Sequence, residues 1–514
     1  MSVLTITGLS HVYDNKILFD KADLSINNGE HAGIVGLNGA GKSTFMNILT
    51  GRILQDSGEV KWQNGVTWGY LDQYLDIDRS LTVMEYLKSS FAHLYAKNEK
   101  MEELYARVAT ETDADVMDQL IRRAGNIMDE LTQANFFDLE AEIKKVANGL
   151  GVGAIGYETP VSRLSGGQRE KLMLAKLLLT APDVLLLDEP TNFLDTEHID
   201  WLAKYLNAFQ GTFLLISHDA GFLNAVCKLI VNIENGEIRR YTGNYDLFLS
   251  QQESNRKQYA ENYNRQQREI KKMEDYIARN KARAATAGMA NSRKKQLEKI
   301  EVMNKPLSIP EATFAFRYTP LVTKDLLDVK NLEIGYGSPL LPPLNLHLTC
   351  DSKLWIRGTN GIGKSTLLKT LLGQLKPVGG SFRFHPAVKI GYLEQEIEFP
   401  GGVSNALGFL NLRYPRKNQK ELRAELAKVG IRNEMSLRPL HELSGGEQIR
   451  VRLCAMEHTE SNVLILDEPT NHLDVVAKEA LKKALSAYEG AILLVSHEAD
   501  FAEDVCNDVF DVKV

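Results

Sequence analysis

One pattern, met twice, constrains this chain more than any other. Gly36-Leu-Asn38-Gly39-Ala-Gly41-Lys42-Ser43-Thr44 recurs as Gly358-Thr-Asn360-Gly361-Ile-Gly363-Lys364-Ser365-Thr366. Each copy follows an apolar, strand-like run (Ala32-Gly-Ile-Val; Leu354-Trp-Ile) and opens a helix-like one (Phe45-Met-Asn-Ile-Leu; Leu367-Leu-Lys-Thr-Leu-Leu). Strand, GxxxxGKS loop and helix together define a phosphate-binding P-loop. Glycines let backbone N–H groups converge on phosphate oxygens, and the start of a helix adds a favourable field. Lys42 and Lys364 are expected at the β- and γ-phosphates of a nucleotide, and Ser43 and Ser365 on Mg²⁺. A chance glycine-rich turn does not recur in the same context.

The rest of the chain repeats in register. Leu164-Ser165-Gly166-Gly167-Gln168 returns as Leu443-Ser444-Gly445-Gly446-Glu447, Leu185-Leu-Leu-Asp188-Glu189-Pro-Thr-Asn as Leu464-Ile-Leu-Asp467-Glu468-Pro-Thr-Asn, and Ile216-Ser-His218 as Val495-Ser-His497. The offset is 322 residues from Lys42 to Lys364 and from Gln73 to Gln395, but 279 from Ser165 to Ser444 and from His218 to His497. The first half therefore holds 43 extra residues between Gln73 and Ser165. Charged amphipathic patterns place them near 95–140 as a helical hairpin. The expected division is a first nucleotide-binding domain over 1–244 carrying that insertion, a linker over 245–318 and a second domain over 319–514.

The linker has a different character. The chain as a whole carries a net charge of −7, which argues against a generally basic nucleic-acid binder, yet residues 251–305 hold 14 Lys and Arg against 7 Asp and Glu. The first part, near 246–281, reads as a helix about 50 Å long; Ala284-Ala-Thr-Ala-Gly-Met-Ala breaks the pattern, and a second helix follows. A charge run is most simply a solvated helical face. Local reversal of sign in an acidic chain instead favours an arm facing a polyanion, with Arg265, Arg268, Lys271, Lys272, Arg279, Lys281, Arg283, Arg293, Lys294 and Lys295 as its candidate phosphate contacts. The four cysteines are scattered without a CxxC pair, which argues against zinc and disulfides and for reduced thiols in the cytosol. No run of 18 apolar residues and no signal-peptide pattern is present.

Asp188 and Asp467 end apolar strands, where a carboxylate can hold Mg²⁺ through its water shell. Glu189 and Glu468, the next residues, are candidate general bases for the attacking water. With Leu-Ser-Gly-Gly-Gln/Glu added to the P-loops, the chain resembles the ATP-binding-cassette (ABC) ATPases. The resemblance implies an α/β fold: two tandem P-loop ABC ATPase domains, each with a RecA-like α/β core, an antiparallel β subdomain and a helical subdomain, joined by a long α-helical hairpin linker. It also implies head-to-tail pairing of the two cassettes within a monomer. One composite ATP site would set Lys42, Ser43, Gln73, Asp188, Glu189 and His218 against Ser444, Gly445 and Gly446. The other would set Lys364, Ser365, Gln395, Asp467, Glu468 and His497 against Ser165, Gly166 and Gly167. Gln73 and Gln395 match the glutamine that senses Mg²⁺ and water, His218 and His497 the switch histidine, and Tyr13 and Tyr336 the adenine-stacking aromatic. Both sites keep Glu, Gln and His, so both are expected to turn over ATP. One departure is Phe193, which stands where the second half has His472.

Tandem cassettes, the Asp-Glu-Pro-Thr-Asn-x-Leu-Asp loops and a charged linker from Asn280 to Ile300 are similar to the ABC-F branch. That resemblance implies a ribosome-binding partner: the tRNA exit site, with the linker directed at the peptidyl-transferase centre and the 95–140 insertion at the L1 stalk, in a translation factor or an antibiotic-resistance (ribosome protection) factor. A soluble ATPase subunit of a membrane transporter needs no basic hairpin between its cassettes. A DNA-repair ATPase of this kind carries zinc modules or very long coiled coils, which are absent here.

Overall fold

The computed structural model describes residues 2–13, 16–37, 39–71, 77–280, 292, 295–297, 312–359, 361–395, 397, 399–471 and 473–513. Asn38, Gln73, Asn360, His472, Lys281, Arg283, Arg293 and Lys294 fall outside these residues, as does the small-residue stretch of the linker, and Arg279 is described by its helical backbone alone.

Each half is built on a sheet of buried parallel strands. In the first the order is Trp68–Leu71, Val184–Asp188, Thr212–Ile216, His31–Val35, Leu229–Glu234, with Glu237–Thr242 added antiparallel at the edge. In the second it is Ile390–Leu393, Val463–Asp467, Ala491–Val495, Lys353–Arg357, Asp508–Asp511, all parallel. The inner strands are apolar along most of their length because helices cover both faces; His31–Val35 and Val463–Asp467 are buried at every position. A three-stranded antiparallel sheet sits beside each, formed by Ser2–Tyr13, Lys16–Asn27 and Ser57–Trp62 and by Asp325–Glu333, Leu344–Thr349 and Gly379–Phe384. Its strands alternate instead, as Ala22-Asp-Leu-Ser-Ile-Asn27 does, because one face meets water.

The extra residues of the first half form two helices, Ala92–Val108 and Ala114–Gln133. Lys97 near the start of one pairs with Glu130 near the end of the other at 2.6 Å, so the helices run antiparallel. Asp113 caps the second by accepting from the N–H groups of Asp115 and Val116. Met101, Leu104, Leu120 and Leu131 bury the seam in the core of the first half.

The linker opens with a 36-residue helix, Tyr245–Asn280. Its root is fixed by buried Tyr245 and Phe248 and by Arg256, whose guanidinium is 3.1 Å from Glu234. At the far end of the linker, residues 312–318 pack onto the second half. Ala312 and Phe314 are buried in its core, and the N–H of Ala315 donates to Glu457 at 2.8 Å. No helix among the described residues is long and apolar enough to cross a membrane.

Candidate functional site

In each sheet the strand His31–Val35 or Lys353–Arg357 delivers its P-loop at the carboxyl end; the strand beside it carries the histidine loop, and the next one the acidic loop. Gly39 and Gly41 (φ 72° and 99°) and Gly361 and Gly363 (φ 78° and 117°) take the left-handed turn that side-chain-bearing residues avoid. The helices Lys42–Leu49 and Lys364–Leu371 then begin with no side-chain cap, leaving their first N–H groups for a ligand. Gly36 is needed for space: a Cβ there would lie 2.5 Å from the carbonyl oxygen of Ile233. Lys42 Nζ donates to the carbonyls of Gly36 (2.9 Å) and Leu37 (3.3 Å), and Lys364 Nζ to those of Gly358 (2.6 Å) and Thr359 (3.2 Å). Both ammonium groups are curled onto their own loops at the point where a phosphate would sit. Ser43 is exposed, Thr44 half-buried and Thr366 buried.

Beyond the neighbouring strand, Glu189 and Glu468 stand at φ 50° and 51°, a conformation a glutamate adopts only when its surroundings impose it. Their own N–H groups donate to Ile216 and Val495 at 2.9 Å, which ties each acidic loop to the strand leading to the histidine. The carboxylates in turn accept from the backbone N–H of His218 (3.3 Å) and His497 (3.2 Å), and their other oxygens face the imidazole Nε2 atoms at 3.4 and 2.9 Å. Burial, reinforced by Asp188, raises the Glu189 carboxyl, against the pull of Lys42 and Lys478. Burial pushes Asp467 up to about 6, with Glu468 adding to it. Its Oδ1 is buried without a hydrogen-bond partner, next to Ser365, whose hydroxyl is 3.4 Å from Gln395 Oε1. A carboxylate, a hydroxyl and an amide oxygen converging in this way suit a hard divalent cation that keeps part of its water shell.

Ser165 and Ser444 cap the helices Gly166–Thr180 and Gly445–Glu457, with Gln168 and Glu447 reaching back to the serine N–H groups at 3.0 and 2.9 Å. This reciprocal capping box fixes the serine and the glycine N–H groups at the helix start. A cavity of about 710 Å³ shows the result at Lys364: Ser165 and Gly167 of the first half line it together with Gly361, Gly363, Lys364, Ser365, Thr366, Gln395, Asp467, Glu468 and His497 of the second. Around Lys42 the arrangement differs. There a cavity of about 190 Å³ is lined by Gly36, Lys42 and His218, by the linker root (Tyr245, Phe248, Arg256), and by Asp474, Val475 and Val476 of the second half. Ser444, Gly445 and Gly446 are not among its lining residues. Tyr13 and Tyr336 are 63% and 68% exposed, so neither ring is committed to packing.

Two aspartates belong with these residues although their role is not evident from motif spacing alone. Burial depresses the amines of Lys42 and Lys364; Asp474, which lines the Lys42 cavity, and Asp195, which lines the Lys364 cavity, each offset this from the opposite cassette. Asp195 is also 3.7 Å from Lys171 and 3.8 Å from His198. The signal available in the sequence was the Leu-Asp pair repeated at the end of both acidic loops, Leu194-Asp195 and Leu473-Asp474. Phe193 lies against Gly167 and lines the Lys364 cavity.

This fold and site are those of a P-loop ATPase with paired cassettes. A family model described as "ABC transporter" matches residues 19–192 and 341–471, and a second of the same description matches 231–316. An uncharacterized ABC transporter ATP-binding protein of Bacillus subtilis, YfmM, is 43% identical over 513 residues, 100% of this chain and 99% of that one. The ABC transporter F family member 5 of Arabidopsis thaliana is 33% identical over 497 residues, 95% of this chain and 72% of the plant protein. The chain belongs to the ATP-binding-cassette ATPases, in their F-type branch, and it binds and hydrolyses ATP. Among solved structures, the archaeal ribosome recycling factor aABCE1, in complex with ribosomal stalk protein aP1, shares the fold with a TM-score of 0.59 at 19% identity, over 98% of this chain and 87% of that one. The RNase-L Inhibitor does so with 0.58 at 18% identity, over 98% and 87%.

Proposed function

We propose that this ATPase acts on the ribosome, binding at the tRNA exit site in its ATP-bound closed state and reaching P-site tRNA and the peptidyl-transferase centre with its linker. The observation that carries the reading is the root of the linker helix. Tyr245 and Phe248 line the same cavity as Lys42 and Asp474, so a helix about 50 Å long starts where the first nucleotide site meets the second cassette. Along it Arg265, Arg268 and Lys272 follow at spacings of three and four on one exposed face, with exposed Lys271 adjacent. Lys295 is helical and exposed. Such a cationic face suits a phosphate-lined channel, with an affinity that falls as salt rises. The solved structures of similar fold include an archaeal ribosome recycling factor and a ribosome-bound archaeal complex of Pelota and ABCE1.

In the catalytic reading, Lys42 and Lys364 hold the β- and γ-phosphates. Ser43 with Asp188 and Ser365 with Asp467 would hold Mg²⁺, assisted by Gln73 and Gln395. Mg²⁺ would supply charge neutralisation at the phosphates. Glu189 and Glu468 take the proton of the attacking water, each oriented by its histidine. The serine and glycine N–H groups of each signature stabilise the γ-phosphate bound by the other cassette.

The deciding experiment is sedimentation of Glu189→Gln/Glu468→Gln with ribosomes. ATP-dependent co-sedimentation is expected, lost when Arg265, Arg268, Lys271 and Lys272 are neutralised and weakened as salt is raised. Absence of co-sedimentation with ATP at low salt would sink the proposal. A drug-susceptibility panel in cells expressing the gene then separates a general translation factor, the role we favour, from a resistance factor.

A further inference from the structure

The two sites are built from repeated sequence, yet one side chain on the interface between them has no counterpart. Lys478 lies in the first turn of the helix Val475–Ala487; the offset of 279 residues puts Ile199 at the equivalent point of Thr196–Ala208. A cation in the first turn faces the positive end of the helix field, an unfavourable position. Its side chain is only 11% exposed, so water does little to offset this. The compensation is specific. Nζ lies 2.6 Å from Oε1 of Glu498 and donates to the backbone carbonyl of His218 at 3.2 Å, across the cassette boundary.

Glu498 has changed its work to allow this. Its equivalent, Asp219, caps the helix Ala220–Val226 by accepting from the N–H of Phe222 at 2.9 Å. Glu498 makes no such cap on Ala499–Val505 and is paired with Lys478 instead. A cavity of about 50 Å³ at the centre of the interface is lined by Glu189, Ile199, His218, Lys478, His497 and Glu498, so this pair sits between the two hydrolytic centres.

We propose that Lys478 is a trans-acting positioning residue for the first ATP site: from the second cassette it holds the His218 loop, and through it the Glu189 carboxylate, while Ile199 offers no such donor to the His497 loop. The proposal rests on the reading of Glu189 and Glu468 as general bases. The titratable groups that face Glu189 are Asp188 and Lys42 of its own cassette, the His218 imidazole at 3.4 Å, and Lys478. Hydrolysis at the first site is thereby tied to docking of the second cassette, and the two sites are unequal despite matching motifs.

Steady-state ATP hydrolysis by the full chain tests this. Glu468→Gln leaves the first site active and Glu189→Gln the second; Lys478→Ile is placed in each. The fall in kcat is expected to be about tenfold greater in the Glu468→Gln background. Lys478→Arg should restore most of the rate. Equal losses in both backgrounds, or no loss in either, overturn the proposal. A fault in the underlying reading shows separately, as undiminished hydrolysis in Glu189→Gln/Glu468→Gln, and would sink both.

Discussion

Asp467 ends an apolar strand, and burial with Glu468 beside it pushes its carboxyl up to about 6, against an ordinary value of 3.8. A carboxyl raised by folding makes the folded state the tighter binder of protons. The cost to stability is therefore absent below about pH 3.8, grows between the two values and is fully present above about 6. The gap corresponds to about 3 kcal/mol. Asp467→Asn should raise the melting temperature of the nucleotide-free chain at pH 8, relative to the parent, while the two converge as pH falls below 4.5. It should also abolish hydrolysis at the second site. A melting temperature at pH 8 no higher than the parent's would contradict this account of the buried charge. Glu189 and Glu468 carry a related cost in their left-handed backbone. The sequence identifies both as acidic residues after a strand; it does not reveal that the chain is bent there to aim them at the histidine that follows the adjacent strand.

The linker helix draws its direction from its first turns. Phe248 is buried against Tyr241, with ring centroids 5.0 Å apart and planes at 71°, and against Tyr245 at 5.8 Å. Beyond this root the helix is largely polar and mostly exposed. Phe248→Ala should cost about 3 kcal/mol in the stability of the first cassette. Amide exchange over 245–256 should accelerate more than in the sheet strands; uniform acceleration would mean that the root is not a local anchor. Periodicity made this helix legible, since 36 residues without proline admit little else. Which surface of the cassette receives it depends on two aromatics that read as unremarkable in a charged segment.

At the scale of the molecule, the Lys364 cavity is shared between halves that lie about two hundred residues apart in sequence. A site assembled in this way makes its parts act as one unit. Gly167→Asp, which puts a like charge where a phosphate is expected, and Lys364→Ala should therefore be non-additive in their effect on ATP hydrolysis. Gly167→Asp combined with Lys42→Ala should multiply the two losses. Additivity in the first pair would show that the signature of the first cassette does not serve the second P-loop. The repeat, the P-loops, the acidic and histidine loops and the helical linker are all determined by local pattern: glycines where left-handed turns are needed, apolar runs that become buried parallel strands, and serine with glutamine or glutamate three residues on to cap a helix. What the sequence could not decide is what meets across the interface. The place of Asp474 in the Lys42 cavity, the role of Asp195, the seating of the linker root beside the first P-loop and the contact of Lys478 with the His218 loop depend on how two folded surfaces dock. Those contacts are made between residues far apart in the chain, through side-chain geometry that no periodicity or spacing encodes.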